Sequence, residues 1–262
     1  MALFGLINPL HALSGLVVGT LVGFTGVGGG SLMTPLLVLA FGIHPSTAVG
    51  TDLLYAAATK GVGAVVHGFS GTVDWRIVLR LAAGSVPATV LTLLALSRAG
   101  TVLDAGHGAI TSVLGAALIL TAIAILFRRM ITAFFAKRMG ELDPRRTSLF
   151  TMLLGAVLGV LVSLSSVGAG AIGVTVLLVL YPRLPAGKLV GSDIAHAVPL
   201  TLLAGLGHWM MGTVDWRLMA SLLTGSIPGI IIGSLLSSRT PDRVLRPILA
   251  STLAIVGGKL FF

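Results

Sequence analysis

Few side chains in the apolar stretches of this sequence can hold a charge or move a proton. Lys60 stands near the middle of the stretch 48–69. Asp52 and Asp193 close the tripeptides GTD (50–52) and GSD (191–193), with the hydroxyls of Thr51 and Ser192 beside them. His196 follows Asp193 by three residues, one helical turn. A lysine inside a membrane is costly and is a functional candidate by default. It could bind an anion or pair with a carboxylate. Asp52 lies eight residues away, about 12 Å along one helix, so Asp193 is the better-placed partner. The two carboxylates could satisfy free N–H groups at helix starts or carry protons. Lys60, Thr51 and Ser192 are therefore expected to contact an anionic substrate, and Asp52, Asp193 and His196 to couple its movement to protons.

A second motif suits an anion without any charged side chain. Residues 23–35 read GFTGVGGGSLMTP and interrupt an apolar segment. Glycine costs a helix about 1 kcal/mol relative to alanine, but it allows chain reversal and close approach of a ligand to the backbone. A helix starting near Ser31 would offer free N–H groups and a partial positive charge. Gly28, Gly29, Gly30 and Ser31 are candidate anion contacts, and Gly168 and Gly170 of VGAGA (167–171) are their counterparts. Small residues that merely let helices pack closely are the alternative explanation.

These motifs recur because the chain is duplicated. GTVDWR occurs at 71–76 and again at 212–217, an offset of 141 that also aligns Asp52 with Asp193, Ser85 with Ser226 and Pro87 with Pro228. A one-residue gap between 30 and 49 brings VGGGS (27–31) onto VGAGA. The expected organisation is a first repeat over 1–127, a basic linker over 128–146 and a second repeat over 147–262. Internal duplication is the usual build of secondary transporters.

The elements that position the motifs must be transmembrane helices. The chain of 262 residues is 55% hydrophobic and 10% charged, with mean hydropathy +1.05. Soluble proteins carry about a quarter charged residues. Segments 48–69, 75–97 and 107–127, with 189–211, 216–238 and about 243–262, are each long enough to span. Residues 12–25 and 31–41 are each short for a span, so they form either one broken span or a glycine-tipped hairpin. Basic residues discriminate. A single span gives parallel halves, with ten Lys and Arg inside and six outside. A hairpin inverts the halves, with thirteen inside against three outside (Arg98, Arg217 and Lys259). The positive-inside rule favours the second division. The expected fold class is an all-α polytopic membrane protein of two inverted-topology repeats, each a glycine-tipped broken helix or hairpin plus three long transmembrane helices. The linker is expected in the cytoplasm and both termini outside.

Other residues read more plainly. His67 and His208 end the spans 48–69 and 189–211 and are expected as polar tails. Asp74 and Asp215 precede Trp75 and Trp216, as helix caps beside interfacial aromatic anchors. Pro87 and Pro228 should kink their helices. The start, MALFGLINPLH, lacks a basic n-region, so no cleavable signal peptide is expected. The net charge of +9 fits loops that touch anionic headgroups, with the bilayer and not nucleic acid as partner. There is no cysteine and one glutamate, Glu141. With no cluster of metal-ligand type and no nucleotide motif, no enzyme, metal or cofactor is expected.

The segments GFTGVGGGSLMTPLL and HPSTAVGTDLLYAAATK, with the doubled GTVDWR, resemble the TauE/SafE family of sulfite exporters over nearly the whole chain. The resemblance implies a multi-pass cell-membrane permease for small sulfur-containing anions such as sulfite or sulfonates. An anion channel on the same scaffold is the alternative. Thr175 stands where Pro35 stands in the first half, and Thr201 where Lys60 stands. Any site between the halves is therefore asymmetric.

Overall fold

The computed structural model describes residues 7–25, 30–69, 73–103, 107–138 and 143–237, with isolated positions after 250. Gly28, Gly29, most of the expected third long helix of the second half and the C-terminus lie outside the described residues. Ten helices are described: α1 (Pro9–Thr25), α2 (Gly30–Phe41), α3 (Pro45–Phe69), α4 (Trp75–Leu103), α5 (His107–Leu126), α6 (Arg128–Arg138), α7 (Pro144–Ser165), α8 (Ala171–Leu180), α9 (Ala186–Met210) and α10 (Trp216–Ser237).

Four of them are long and apolar enough to cross a bilayer, over Trp75–Arg98, Pro144–Ser165, Ala186–Met210 and Trp216–Gly233. A fifth candidate is the pair α5 and α6, bent by 70° where they meet. The segment 128–146 is thus largely helical: α6 fills its first part and α7 already begins at Pro144. At 22 residues, α7 reaches about 33 Å, which is longer than its apolar pattern alone suggests. Leu79, Leu91, Leu153, Met210 and Ile231 are exposed on the outer helix faces, as suits side chains that meet lipid rather than water. Trp75, Trp209 and Trp216 are exposed at helix ends, the places where amphipathic rings favour the headgroup level.

The long helices pack in pairs between the two copies of the repeat. α1 lies along α10, α4 along α7, and α3 along α9. Contacts come in matched sets. Gly19 abuts the Ser226 backbone and Gly159 abuts that of Ser85, where an added Cβ would sit 2.6 Å from a carbonyl oxygen in each case. Gly225 likewise meets Ala12, and Gly84 meets Met152. Backbones this close exclude any side chain at the crossing, the role small residues commonly have between membrane helices.

Two hydrogen bonds repeat the same reciprocity. The Asp74 amide donates to Ser192 Oγ at 2.8 Å, and the Asp215 amide donates to Thr51 Oγ1 at 3.0 Å. Asp74 and Asp215 also cap α4 and α10, accepting from the amides of Arg76 and Arg217. Each GTVDWR turn is therefore tied to the opposite copy by a hydroxyl. Thr51→Val should keep the shape and strand the Asp215 amide, lowering stability by about 1 kcal/mol. Thermal unfolding in detergent checks this.

Candidate functional site

The break between α7 and α8 is well defined. Ser166 closes α7 in the left-handed region (φ 57°), its amide donating to the Val162 carbonyl. Gly168 and Gly170 follow with φ of 117° and 110°. L side chains rarely adopt such conformations, so the residues of VGAGA are suited to this turn. Residues 165–170 are all buried. Non-helical backbone at membrane depth is tolerated only where protein buries it or water reaches it. In the first copy, Gly30 and Ser31 open α2 and the preceding glycines fall outside the described residues.

The three charged side chains meet in the centre, where α3 packs against α9. Lys60, Asp52 and Asp193 are at most 6% exposed. The Lys60 ammonium interacts electrostatically with both carboxylates, more strongly with Asp193. Among the described residues, no direct ion pair joins it to either. The carboxylates differ in their other partners. Asp52 Oδ2 accepts a hydrogen bond from Thr34 Oγ1 of α2, and the Ser166 hydroxyl faces the same carboxylate. Asp193 has no side-chain hydrogen-bond donor; the backbone N–H of Gly170, in the break, faces it without closing a well-formed hydrogen bond. Gly173 of α8 packs directly on its Oδ1, and Arg128, at the start of α6, adds a positive charge within electrostatic range. Buried carboxylates are rarely left without donors, so the cluster retains unused acceptor capacity.

His196, one turn beyond Asp193, is buried. Its Nε2 is hydrogen-bonded to Ser85 Oγ of α4 at 2.8 Å, while Nδ1 has no partner. At the matching place in the first copy stand Tyr55 and Ser226 of α10, both buried and neither with a well-formed hydrogen bond.

The structure thus brings together Lys60, Asp52, Asp193, His196 and the break at Gly168 and Gly170. It commits Thr51 and Ser192 to backbone ties, and Ser192 Oγ also donates to the Lys188 carbonyl. His208 is a buried strut rather than a polar tail: Nε2 meets the Ser163 carbonyl at 2.9 Å and Nδ1 meets Thr213 Oγ1 at 3.0 Å. The side chain of His67 lies outside the described residues. Thr34, Ser85, Ser166 and Arg128 are members of the cluster's surroundings that sequence reasoning missed. The partners Ser85 and His196 are 111 positions apart, and only the packing of α4 on α9 joins them. Among the described residues, no group of three or more acidic or histidine side chains is arranged to hold a metal ion.

The two copies of the repeat also differ at matching helix ends. An open cleft of about 580 Å³ at one end of α1 and α10 is lined by Asn8, His11, Phe41, Asp215, Arg217 and Ser221 among others. At the matching end of α4 and α7, Arg80 Nη1 donates to Tyr181 OH at 3.1 Å, and that hydroxyl is hydrogen-bonded to Thr151 Oγ1 at 2.8 Å.

A family model described as "Sulfite exporter TauE/SafE" matches residues 11–260. The chain belongs to the TauE/SafE family. Among its relatives is the probable membrane transporter protein YjnA of Bacillus subtilis, 41% identical over 95% of this chain and 97% of that protein. A second, YdhB of the same organism, is a probable membrane transporter protein 30% identical over 94% and 97% of the two chains. A probable membrane transporter protein of Xylella fastidiosa is 26% identical over 86% of this chain. No solved structure matches. With its apolar helices, TauE/SafE membership makes the chain a multi-pass membrane transporter.

Proposed function

We propose that the protein exports small sulfur-containing anions, such as sulfite or sulfonates, across the cell membrane by alternating access between two inverted halves, coupled to protons. The carrying observation is the buried lysine Lys60, set between the carboxylates that each copy of the repeat contributes. An ammonium at membrane depth is a candidate anion-binding group, and the break at Gly168 and Gly170 offers backbone N–H groups. Gly28, Gly29, Gly30, Ser31, Gly168 and Gly170 line the anion in this reading, with Lys60 as counter-charge. Asp52 and Asp193 exchange protons, and Thr51 and Ser192 hold the halves in register.

The antiparallel crossing of the equivalent helices α3 and α9, with Gly50 against His208 and Gly205 against Leu54, supports the inverted arrangement, because repeats related by an axis along the membrane normal would set equivalent helices parallel. The cleft at one end and the Arg80–Tyr181–Thr151 tie at the other support alternating access, with one mouth open and the other held. Export of an anion is also helped by the membrane potential, by about 2.3 kcal/mol per charge per 100 mV. The name of the family model carries the sulfite assignment, and the positive-inside rule carries the topology with both termini outside.

Sulfite flux in proteoliposomes, with and without a pH gradient, tests the reading. Saturable flux that builds up sulfite against its concentration when a pH gradient is imposed is the expected result. Flux that never saturates and only dissipates a sulfite gradient would identify a channel. Folded protein that moves no sulfite would overturn that substrate and direct attention to thiosulfate and a panel of sulfonates.

A further inference from the structure

Each short helix runs from a carboxylate of the central cluster to one mouth of the fold. α2 brings Thr34 to Asp52 and ends at Phe41, which lines the open cleft. α8 begins with Gly170 and Gly173 against Asp193 and closes at Tyr181. Its 10 residues span about 15 Å. Segments 9–41 and 149–181 align residue for residue at an offset of 140, so Phe41 matches Tyr181 and His11 matches Thr151. The offset of 141 in the GTVDWR helices matches Ser221 with Arg80. Three residues that line the cleft, Ser221, Phe41 and His11, therefore stand where the other mouth has Arg80, Tyr181 and Thr151.

The three residues at that other mouth form one directed chain. Arg80 of α4 donates through Nη1 to Tyr181 OH at 3.1 Å. The hydroxyl lies 2.8 Å from Thr151 Oγ1, and Thr151 donates to the Thr147 carbonyl at 2.7 Å. Tyr181 thus accepts from Arg80 and donates to Thr151, which uses both roles of a phenol. Thr151 is buried, Arg80 and Tyr181 are half-buried, and a bond from a guanidinium is stronger than one between neutral groups. The chain also crosses between the copies, since Arg80 belongs to the first and Tyr181 and Thr151 to the second. Its counterpart cannot form. Phe41 lacks the hydroxyl and meets the His11 ring edge-on, with centroids 4.7 Å apart. Ser221 carries no charge and is committed to its neighbours, accepting from the Asn8 amide at 3.1 Å and donating to the Arg217 carbonyl at 2.8 Å.

We infer that the Arg80–Tyr181–Thr151 chain is a one-sided latch: it pins the end of α8 to α4 and α7, and the mouth on that side opens only when Arg80 releases Tyr181. This rests on the alternating-access reading above and deepens it by naming the groups that hold one mouth shut. α4 and α7 cross backbone against backbone, with Gly84 on the Met152 carbonyl and Gly155 on the Leu81 carbonyl, so the pair forms one body. α8 is the element left to move, and its far end sets the surroundings of Asp193. Holding Tyr181 holds Gly170 and Gly173 on that carboxylate. Releasing it lets the break and the mouth move together, as one body rocks against another in transporters built from repeats. Because the first copy has no latch, the state with the cleft beside α1 and α10 open is the resting one. Loss of the latch shifts the population toward the opposite state.

The test needs no substrate. The chain has no cysteine, so a single introduced cysteine reports its own access to a charged, water-soluble thiol reagent in detergent. Ile7 is half-buried and lines the cleft, whereas Thr147, its match at the offset of 140, is buried. Thr147→Cys also keeps the backbone carbonyl that Thr151 uses. Ile7→Cys should label fast and Thr147→Cys slowly. Tyr181→Phe installs the residue of the first copy and removes a hydrogen bond from a charged group. It should raise the labelling rate of Thr147→Cys about 10-fold and lower that of Ile7→Cys. Arg80→Ser should do the same, and is read in its place if Tyr181→Phe does not fold. Thr151→Ser keeps the hydroxyl and should leave both rates unchanged. Unaltered labelling in Tyr181→Phe and Arg80→Ser would overturn the latch. So would faster labelling of Thr147→Cys with Ile7→Cys unaffected, because the chain would then only pack the end of α8. A shift in Thr151→Ser would trace the effect to the lost methyl group and overturn it too. Sulfite flux in proteoliposomes, measured on the same variants, separates the two readings. Opposed labelling shifts without sulfite flux would leave the latch standing and remove the substrate. Flux without the shifts would leave the transporter standing and remove the latch.

Discussion

Lys60→Ala is expected to abolish anion flux, in counterflow and in gradient-driven accumulation alike, and to weaken the fold as well. The side chain is buried between two carboxylates, one of which has no side-chain hydrogen-bond donor. Removing one partner of a buried charged group leaves the other uncompensated, at a cost of about 3–5 kcal/mol. A loss of flux alone would therefore be ambiguous. The double variant Lys60→Ala/Asp193→Asn resolves it, because it deletes the orphaned charge together with its partner. Coupled neighbours depart from additivity in such cycles. The double variant should regain most of the thermal stability that Lys60→Ala loses and should still carry no anion. Recovery of flux alongside stability would mean that Lys60 serves only to neutralise Asp193, and the anion-binding role would fall.

Gly225→Ala should have the largest effect on folding of any single methyl addition considered. A Cβ there would fall on the Ala12 carbonyl oxygen and sit 2.7 Å from the Leu16 amide nitrogen, and both are backbone atoms. A flexible side chain could swing aside; a helix backbone cannot. Overpacking costs about 1–3 kcal/mol and occasionally more, and a forced separation of α1 from α10 belongs at the upper end. Gly84→Ala should behave alike, since the same crossing between α4 and α7 places Met152 against it. Gly187→Ala, with nothing within 4 Å of the added methyl, is the control and should be neutral or slightly stabilising. The yield of monodisperse protein and its unfolding temperature in detergent measure all three. A Gly225→Ala protein as stable as Gly187→Ala would show that the helices do not cross this closely.

Much of this was legible in the residues themselves. Composition excludes a soluble fold, because 10% charged residues cannot cover a surface of this size with polar groups. The doubled GTVDWR and the 141-residue offset expose the duplication. The run of small residues at 167–171 marks a break, since positive φ at Gly168 and Gly170 is a local demand that local sequence can announce. Lys60 stands out by chemistry alone, because a charge in an apolar helix needs a reason wherever it ends up. The helical nature of 128–138 was less legible, as its basic residues signal orientation more strongly than conformation.

Partnership was decided by the tertiary structure. Thr51 and Ser192 look like ligands for an oxyanion in sequence, yet their hydroxyls tie down backbone amides more than a hundred positions away. His208 looks like a surface tail and is a satisfied buried strut. The difference between Asp52 and Asp193, which hold matching places in GTD and GSD, arises because α2 brings the Thr34 hydroxyl to one carboxylate while α8 brings only Gly173 and the Gly170 backbone N–H to the other. Sequence determines which groups can be charged and where the chain must bend, because those are properties of single residues and their neighbours. Which charged group finds a donor depends on how distant helices cross, and only the packed fold determines that.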